Sequence, residues 1–305
     1  MEKRVNTPTS DHHWLFQSQM VCRPALPMDR NGILEMTRDI WNGHDYVPYV
    51  LDEWYAEKEG MLSVALLGGK VIGLSKLSYC GVGQWWLEGL RVHPEFQGRG
   101  LASRIFDYTL SQCKRLGGGV VRLFTHQHRW AVHHMCEERG FQKIGRAIYM
   151  IADPIFAQVD HFSPIIEEDL GEVLARTRQH PLVSPELNLV DLMWRLGEPQ
   201  EEIFTIPIQK AQALWWRNNL GFVIYLLDWI DEHTRYPLIS YLQCPKERLT
   251  DLLYDFRVYA GRKGYNRVGW NLFLDFDLEN FAQKAGFKFE DEEDIVYLYE
   301  LRNWR

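Results

Sequence analysis

Gln97-Gly98-Arg99-Gly100-Leu101-Ala102 is the stretch on which the reading of this 305-residue chain turns. It follows a strand-like run from Trp86 to Val92. It opens an amphipathic helix whose Ala102, Ile105, Phe106, Leu110 and Cys113 share one face. Gly98 and Gly100 permit a tight bend and put no side chain in the way of a ligand. The amides of the turn and of the first helical residues, through Ser103, have no intrahelical acceptor, and the helix dipole favours negative charge there. Strand, glycine turn and helix in that order make a cradle for a pyrophosphate. No Lys-Ser/Thr follows the glycines, which separates the turn from the nucleotide loop that ends in that pair.

Around this motif there is room for two domains of about 150 residues each. We place them at residues 1–155 and 156–305, with Ala152 to Asp160 as the linker. A hydrophobic content of 46%, with twelve tryptophans, suffices for two folded cores. The formal net charge of −7 argues against nucleic-acid or anionic-membrane partners. Cys22, Cys80, Cys113, Cys136 and Cys244 form no metal-type spacing, and an odd count suits a reducing compartment. Residues 1–19 are polar, with paired His12 and His13 and no apolar signal core. No apolar run is long enough to span a bilayer. The expectation is a soluble, cytoplasmic protein.

The chain also echoes itself. Val21-Cys22-Arg23-Pro24 leads through Asp29 into a helix containing Ile33-Leu34, and Pro164, Asp169 and Val173-Leu174 repeat that pattern 140 positions later. Glu138-Arg139-Gly140-Phe141 is answered by Lys284-Ala285-Gly286-Phe287, each with a glycine closing a helix before a strand. The halves differ after the central strand. Pro94 to Gly119 takes 25 steps, whereas Pro245 to Tyr265 takes 20 and has no glycine turn at its start. We place the shortfall of five in the phosphate loop, so the second half keeps the architecture and lacks the cradle.

Periodicity predicts first-half strands at Met20–Pro24, Leu62–Leu67, Val71–Tyr79, Gln84–Val92, Val120–Thr125 and Lys143–Ile151. Helices are expected at Asp29–Trp41, Tyr49–Glu59, Leu101–Leu116 and Trp130–Arg139, and Gly68-Gly69 reads as a hairpin turn. In the second half the expected strands are Ala211–Trp216, Gly221–Trp229, Leu238–Gln243 and Val268–Leu274. The helices are Lys246–Arg262 and Leu278–Lys284.

The longer stretch Leu87-Glu88-Gly89-Leu90-Arg91-Val92-His93-Pro94-Glu95-Phe96-Gln97-Gly98-Arg99-Gly100-Leu101-Ala102 resembles the GNAT superfamily of acetyl-CoA-dependent N-acetyltransferases. That family's signature is Gln or Arg, two residues, Gly, one residue, then Gly or Ala, and Gln97, Gly100 and Ala102 match it. The resemblance implies an α/β fold of tandem GNAT-like domains, each a mixed, largely antiparallel sheet flanked by helices. It implies acetyl-CoA as co-substrate, its pyrophosphate on the amides of Gly98 to Ser103 and its pantetheine arm along the backbone of Leu90, Arg91 and Val92. A backbone amide there, that of Leu90, would polarise the thioester. Arg99 and Arg104 would add charge-assisted contacts to phosphate; a solvated pair of arginines at the helix start is the plainer alternative.

Glu88 is the candidate general base. Strict alternation puts Trp86, Glu88, Leu90 and Val92 on one strand face, where lost hydration would raise a carboxylate towards a useful basicity. The alternative is a structural carboxylate paired with Arg122. The general acid is harder to find. Where many family members carry a tyrosine before the Gly-Phe pair stands Cys136, and Arg129 stands for their asparagine. Cys136, a histidine or a water are the candidates, or the thiolate leaves unassisted; His126 is the runner-up acid or base because imidazole titrates near neutrality. Metal binding by His126, His128, His133 and His134 is set aside, because neighbouring helical histidines diverge and no cysteine or carboxylate completes a set.

Ile40-Trp41-Asn42-Gly43-His44-Asp45-Tyr46-Val47-Pro48, with Leu87 to Val92, resembles the histidine N-acetyltransferase branch. It implies a small amino-acid-like amine as acceptor, with Tyr46 and Asp45 as candidate contacts; a helix-linking turn with Tyr46 packed is the plainer alternative. Trp86 shares the Glu88 face and is a further candidate contact, with core packing beside Trp85 as its plainer role. A peptide acceptor, or a non-catalytic acyl-CoA sensor, are the alternatives. Unclaimed apolar positions of the second half are candidates for a homodimer surface.

Overall fold

The computed structural model describes residues 20–302, except 180, 181, 183 and 230–233. The polar stretch before residue 20, with His12 and His13, lies outside the described residues. Packing divides the chain into two compact units, Met1–Tyr79 with Trp85–Val121, and Cys80–Gln84 with Arg122–Arg305.

The first unit is built from β1 (Val21–Pro24), α1 (Arg30–Thr37), α2 (Val47–Ala56), β2 (Met61–Leu67), β3 (Lys70–Tyr79), β4 (Gln84–Val92) and α3 (Leu101–Arg115). Its strands pair in the order β1-β2-β3-β4, each antiparallel to the next. Alternation along the strands divides the apolar residues between two faces. Leu62, Val64 and Leu74 pack under Ile33, Met36, Leu51 and Trp54 of α1 and α2. Ala65, Ile72, Leu90 and Val92 pack against Leu101 and Ile105 of α3. The Gly68-Gly69 hairpin forms, with both glycines at positive φ.

Beginning in the first unit, β5 (Val120–His126) runs on into the second. There follow α4 (Trp130–Glu138), β6 (Gln142–Ala152), β7 (Phe162–Pro164), α5 (Leu170–Gln179), β8 (Val190–Asp191), β9 (Leu196–Gly197), α6 (Glu201–Gln209), β10 (Ala213–Trp216), β11 (Gly221–Trp229), β12 (Arg235–Gln243), α7 (Leu249–Arg262), β13 (Val268–Phe273), α8 (Phe276–Lys284), β14 (Lys288–Phe289) and β15 (Ile295–Leu301). The second unit's sheet has the order β5-β15-β6-β13-β12-β11-β10-β7. It is mixed, with β12 and β13 parallel and the other recorded pairs antiparallel. The last strand, β15, lies between β5 and β6. Division by packing therefore falls elsewhere in the chain than the repeat-based boundary at 155/156, because β6 pairs with β13 and β15 from beyond it.

Both sequence echoes carry the same local chemistry. The Asp29 carboxylate accepts the Leu26 N–H at 2.7 Å, and that of Asp169 accepts the Ile166 N–H at 3.1 Å. Gly140 (φ +80°) and Gly286 (φ +84°) close their helices. Phe141 N–H then donates to Cys136 O and Phe287 N–H to Ala282 O, at 3.0 Å each.

Three expectations need correction. The first helix ends at Thr37 rather than Trp41, because Trp41 and Asn42 turn left-handed (φ +50° and +57°). The second spans Val47–Ala56 rather than Tyr49–Glu59, since Glu57 leaves it to pair with Lys76 and to accept the Tyr79 N–H. The phosphate-loop shortfall is smaller than five: seven steps separate Pro94 from Leu101, and four separate Pro245 from Leu249.

Candidate functional site

The centre of the site is an irregularity in β4. In its pairing with β3, Lys76 faces Glu88 and Leu74 faces Arg91, so Gly89 and Leu90 together oppose Ser75 alone. This is a β-bulge, and Gly89 at φ +66° supplies the left-handed residue that such a bulge needs. Glycine is required here twice over, because a Cβ on Gly89 would stand 2.5 Å from Trp54 Cη2. The extra residue drops out of the ladder, which leaves backbone polar groups around Leu90 available for something other than β3.

The bulge also changes which side chains share a face. Glu88 keeps Trp86 beside it, but its further neighbour is Arg91 rather than Leu90 and Val92, which pack on the α3 side. Strict alternation misplaced them because it has no term for an inserted residue. Glu88 is half-buried, and its Oε1 accepts a 2.6 Å hydrogen bond from Ser78 Oγ, which fixes the carboxylate's orientation. The alternative partner, Arg122, donates instead to Glu300, Gln84 and Glu198 at 2.8, 2.9 and 2.6 Å within the second unit.

On the Glu88 face stands the loop that joins α1 to α2. Tyr46 is 37% exposed as a residue, yet burial first and then the Glu88 charge push its phenol up to about 12. Tyr46 meets Trp54 edge-on, with ring centroids 6.1 Å apart. Asp45 is committed elsewhere, to Arg91 through two hydrogen bonds. Trp86 is 3% exposed and forms wall rather than platform.

Beyond β4, Gln97 Nε2 donates to Val92 O at 3.0 Å and ties the loop back to the strand end. Gly98 and Gly100 have φ of +71° and +70°. Gly98 has no neighbour within 4 Å of where a Cβ would lie, so the turn is open on that side. Gly100 is the residue before α3 and makes no side-chain cap. Leu101 is buried as an anchor, Ala102 and Ser103 are half-buried, and Arg99 lies 5.6 Å from the Phe96 ring. One turn into α3, Arg104 has a buried Nη1 with no hydrogen-bond partner, a donor of the kind an anion satisfies. An uncapped helix start, an open glycine turn and an orphaned guanidinium nitrogen fit a diphosphate group.

His126 and Cys136 belong to the second unit. The His126 Nε2 lies 3.2 Å from Asp294 Oδ1, and its ring packs against His128. Cys136 is fully buried, and burial pushes its thiol up to about 12, which makes it a weaker proton donor than an ordinary cysteine. Among the described residues, no three His, Cys, Asp or Glu side chains are grouped to hold a metal ion. Nor is any helix long and apolar enough to cross a membrane.

Sequence reasoning missed the bulge, the Trp54 cover and the Ser78 hydrogen bond. A glycine between Glu88 and Leu90 in an otherwise bulky strand was the available signal for all three.

Residues 30–141 match the model of the Acetyltransferase (GNAT) family. The histidine N-acetyltransferase of Scomber australasicus is 35% identical over 89 residues, which are 29% of this chain and 26% of that protein. That of Xenopus tropicalis is 39% identical over 79 residues, 26% of this chain and 24% of its own length. The chain thus spans about a quarter of the curated relatives it matches. Among solved structures, the GCN5-related N-acetyltransferase from Sphaerobacter thermophilus superposes with a TM-score of 0.63 at 12% identity, covering 93% of this chain and 96% of that one. The glucosamine N-acetyltransferase region of a fungal GH3 beta-N-acetylglucosaminidase gives 0.66 at 12% identity, covering 92% and 38%. At such identities the likeness concerns the fold. The family match makes residues 30–141 a GNAT-family domain.

Proposed function

We propose that this chain is an N-acetyltransferase that moves an acetyl group from acetyl-CoA to a small, amino-acid-like primary amine by direct attack. The observation that carries the reading is the Glu88-Gly89-Leu90 bulge, which puts a carboxylate on one face and released backbone on the same strand segment. Acetyl-CoA supplies the activated acyl group. The amides of Gly98 to Ser103, with Arg99 and Arg104, would hold its diphosphate, and the backbone of Leu90 to Val92 its pantetheine arm. The N–H of Leu90 would donate to the oxygen that gains charge during attack. Glu88, oriented by Ser78, takes the proton from the acceptor's ammonium, directly or through water. The acceptor class follows the histidine N-acetyltransferase relatives.

The test is a panel of amines incubated with acetyl-CoA, with thiol release as the signal. Free amino acids, histidine first, are expected to react. Reaction of peptides alone would replace the small acceptor with a protein one. Coenzyme binding with no turnover on any amine would leave an acyl-CoA sensor, the reading consistent with Cys136 standing where many family members carry a tyrosine.

A further inference from the structure

In the reading above only the backbone of Arg91 serves, yet its side chain is tightly engaged. The guanidinium makes two parallel hydrogen bonds to Asp45, Nε to Oδ2 and Nη2 to Oδ1, each 3.0 Å. Both partners are withdrawn from water, their side chains 11% and 1% exposed. Asp45 Oδ1 also accepts the Val47 N–H at 3.1 Å, so the same carboxylate starts α2. The guanidinium lies 4.3 Å from the Trp41 ring centroid and 5.2 Å from that of Tyr46.

The loop so held does not follow an easy path. Trp41, Asn42 and Gly43 all have positive φ, +50°, +57° and +86°, and the two that carry side chains keep it only under constraint. One β4 side chain supplies that constraint, through paired hydrogen bonds to one end of the loop and a stacked ring at the other. Tyr46 passes the contact on to Trp54, whose indole covers Gly89 of the bulge. Loop, clamp and bulge are one continuous packed set.

We propose that Arg91 and Asp45 are positioning residues, whose paired hydrogen bonds hold the 41–46 loop over the Glu88 bulge and so set where the acceptor amine is held. This deepens the transferase reading and rests on it.

Asp45→Asn keeps the shape of the clamp and removes its charge. With an amine found active in the panel, the acceptor KM is expected to rise at least tenfold while kcat stays within threefold. Coenzyme A titration should be unchanged, and amide hydrogen exchange over residues 41–46 should quicken. Arg91→Lys, which keeps the charge without the fork, should fall between, and it decides the matter if Asp45→Asn fails to fold. Faster exchange with an unmoved KM would make the clamp purely structural and overturn the proposal. A KM and a coenzyme affinity that deteriorate together would do the same. If the unaltered chain acetylates no amine, the transferase reading fails first and takes this one with it, an outcome told apart because it appears without any substitution.

Discussion

The segment from β4 to α3 and the segment from β12 to α7 are the same design with different endings. Each strand leads through a proline and a short 3₁₀ turn into a long amphipathic helix. Each strand carries one extra residue, for β12 skips Ser240 between its pairings of Tyr241 with Ile224 and Ile239 with Tyr225. Ser240 stands five residues before Pro245, as Gly89 stands five before Pro94. The first bulge turns on a left-handed glycine under an indole. Ser240 is 5% exposed, with its Oγ donating to Asp191 O at 2.5 Å. Where the first segment inserts Gln97 to Gly100 before its helix, the second passes directly from Arg248 into Leu249. A strand, a bulge and a helix are architecture; an open glycine turn beside them is what a bound diphosphate would need.

The most severe way to break the contrast is to impose the second ending on the first. Deleting Gln97 to Arg99 gives both segments the same four steps from proline to helix, and coenzyme A binding is expected to vanish in a calorimetric titration while far-ultraviolet dichroism is retained. Next in size is Glu88→Gln, for which turnover should fall by about 10²- to 10⁴-fold, the range typical of a lost general base. The coenzyme dissociation constant should not move; a variant with unimpaired thiol release would remove Glu88 from the mechanism.

Gly89→Ala sharpens the bulge comparison. It meets both the positive φ and Trp54, so a loss of roughly 1–3 kcal/mol is expected in denaturant unfolding. Ser240→Gly should act differently, costing about 1 kcal/mol for the lost hydrogen bond and buried side chain. Equal losses would mean that the two bulges are equivalent after all.

The last prediction concerns Asp191, which anchors the filled bulge and acts through pH rather than through a changed contact. Burial raises its carboxyl from 3.8 to about 7, against hydrogen bonds from Asn271 and the Trp194 N–H that favour the charged form. A raised folded value means that the folded chain holds a proton the unfolded chain has released. Stability should therefore decline as pH rises from about 4 to about 7, at up to about 1.4 kcal/mol per pH unit. Asp191→Asn should flatten that slope in thermal melts taken across the interval.

Much of this was legible because local chemistry and global fold agree. Alternating apolar runs placed β2, β3 and β4, paired glycines placed their hairpin, and the glycine turn announced α3. The paired Asp29 and Asp169, met as letters, proved to accept the same backbone N–H. What escaped has physical causes. Helix α6 contains Pro207, which reads as a breaker. Strands β8 and β9 are two residues long, too short to show a period. Arg91 was expected to matter through its backbone, because nothing in a linear sequence says that Asp45 will stand opposite it.

The position of β15 has a consequence for how the chain is made. Residues 295–301 are synthesised long after β5 and β6, yet they fill the slot between them. Until they emerge, those two strands present open edges, and closing so distant a pairing is slow. The nascent polypeptide should therefore depend on holdase protection until residue 301 has emerged, and separate expression of residues 1–155 should yield aggregates rather than a working half.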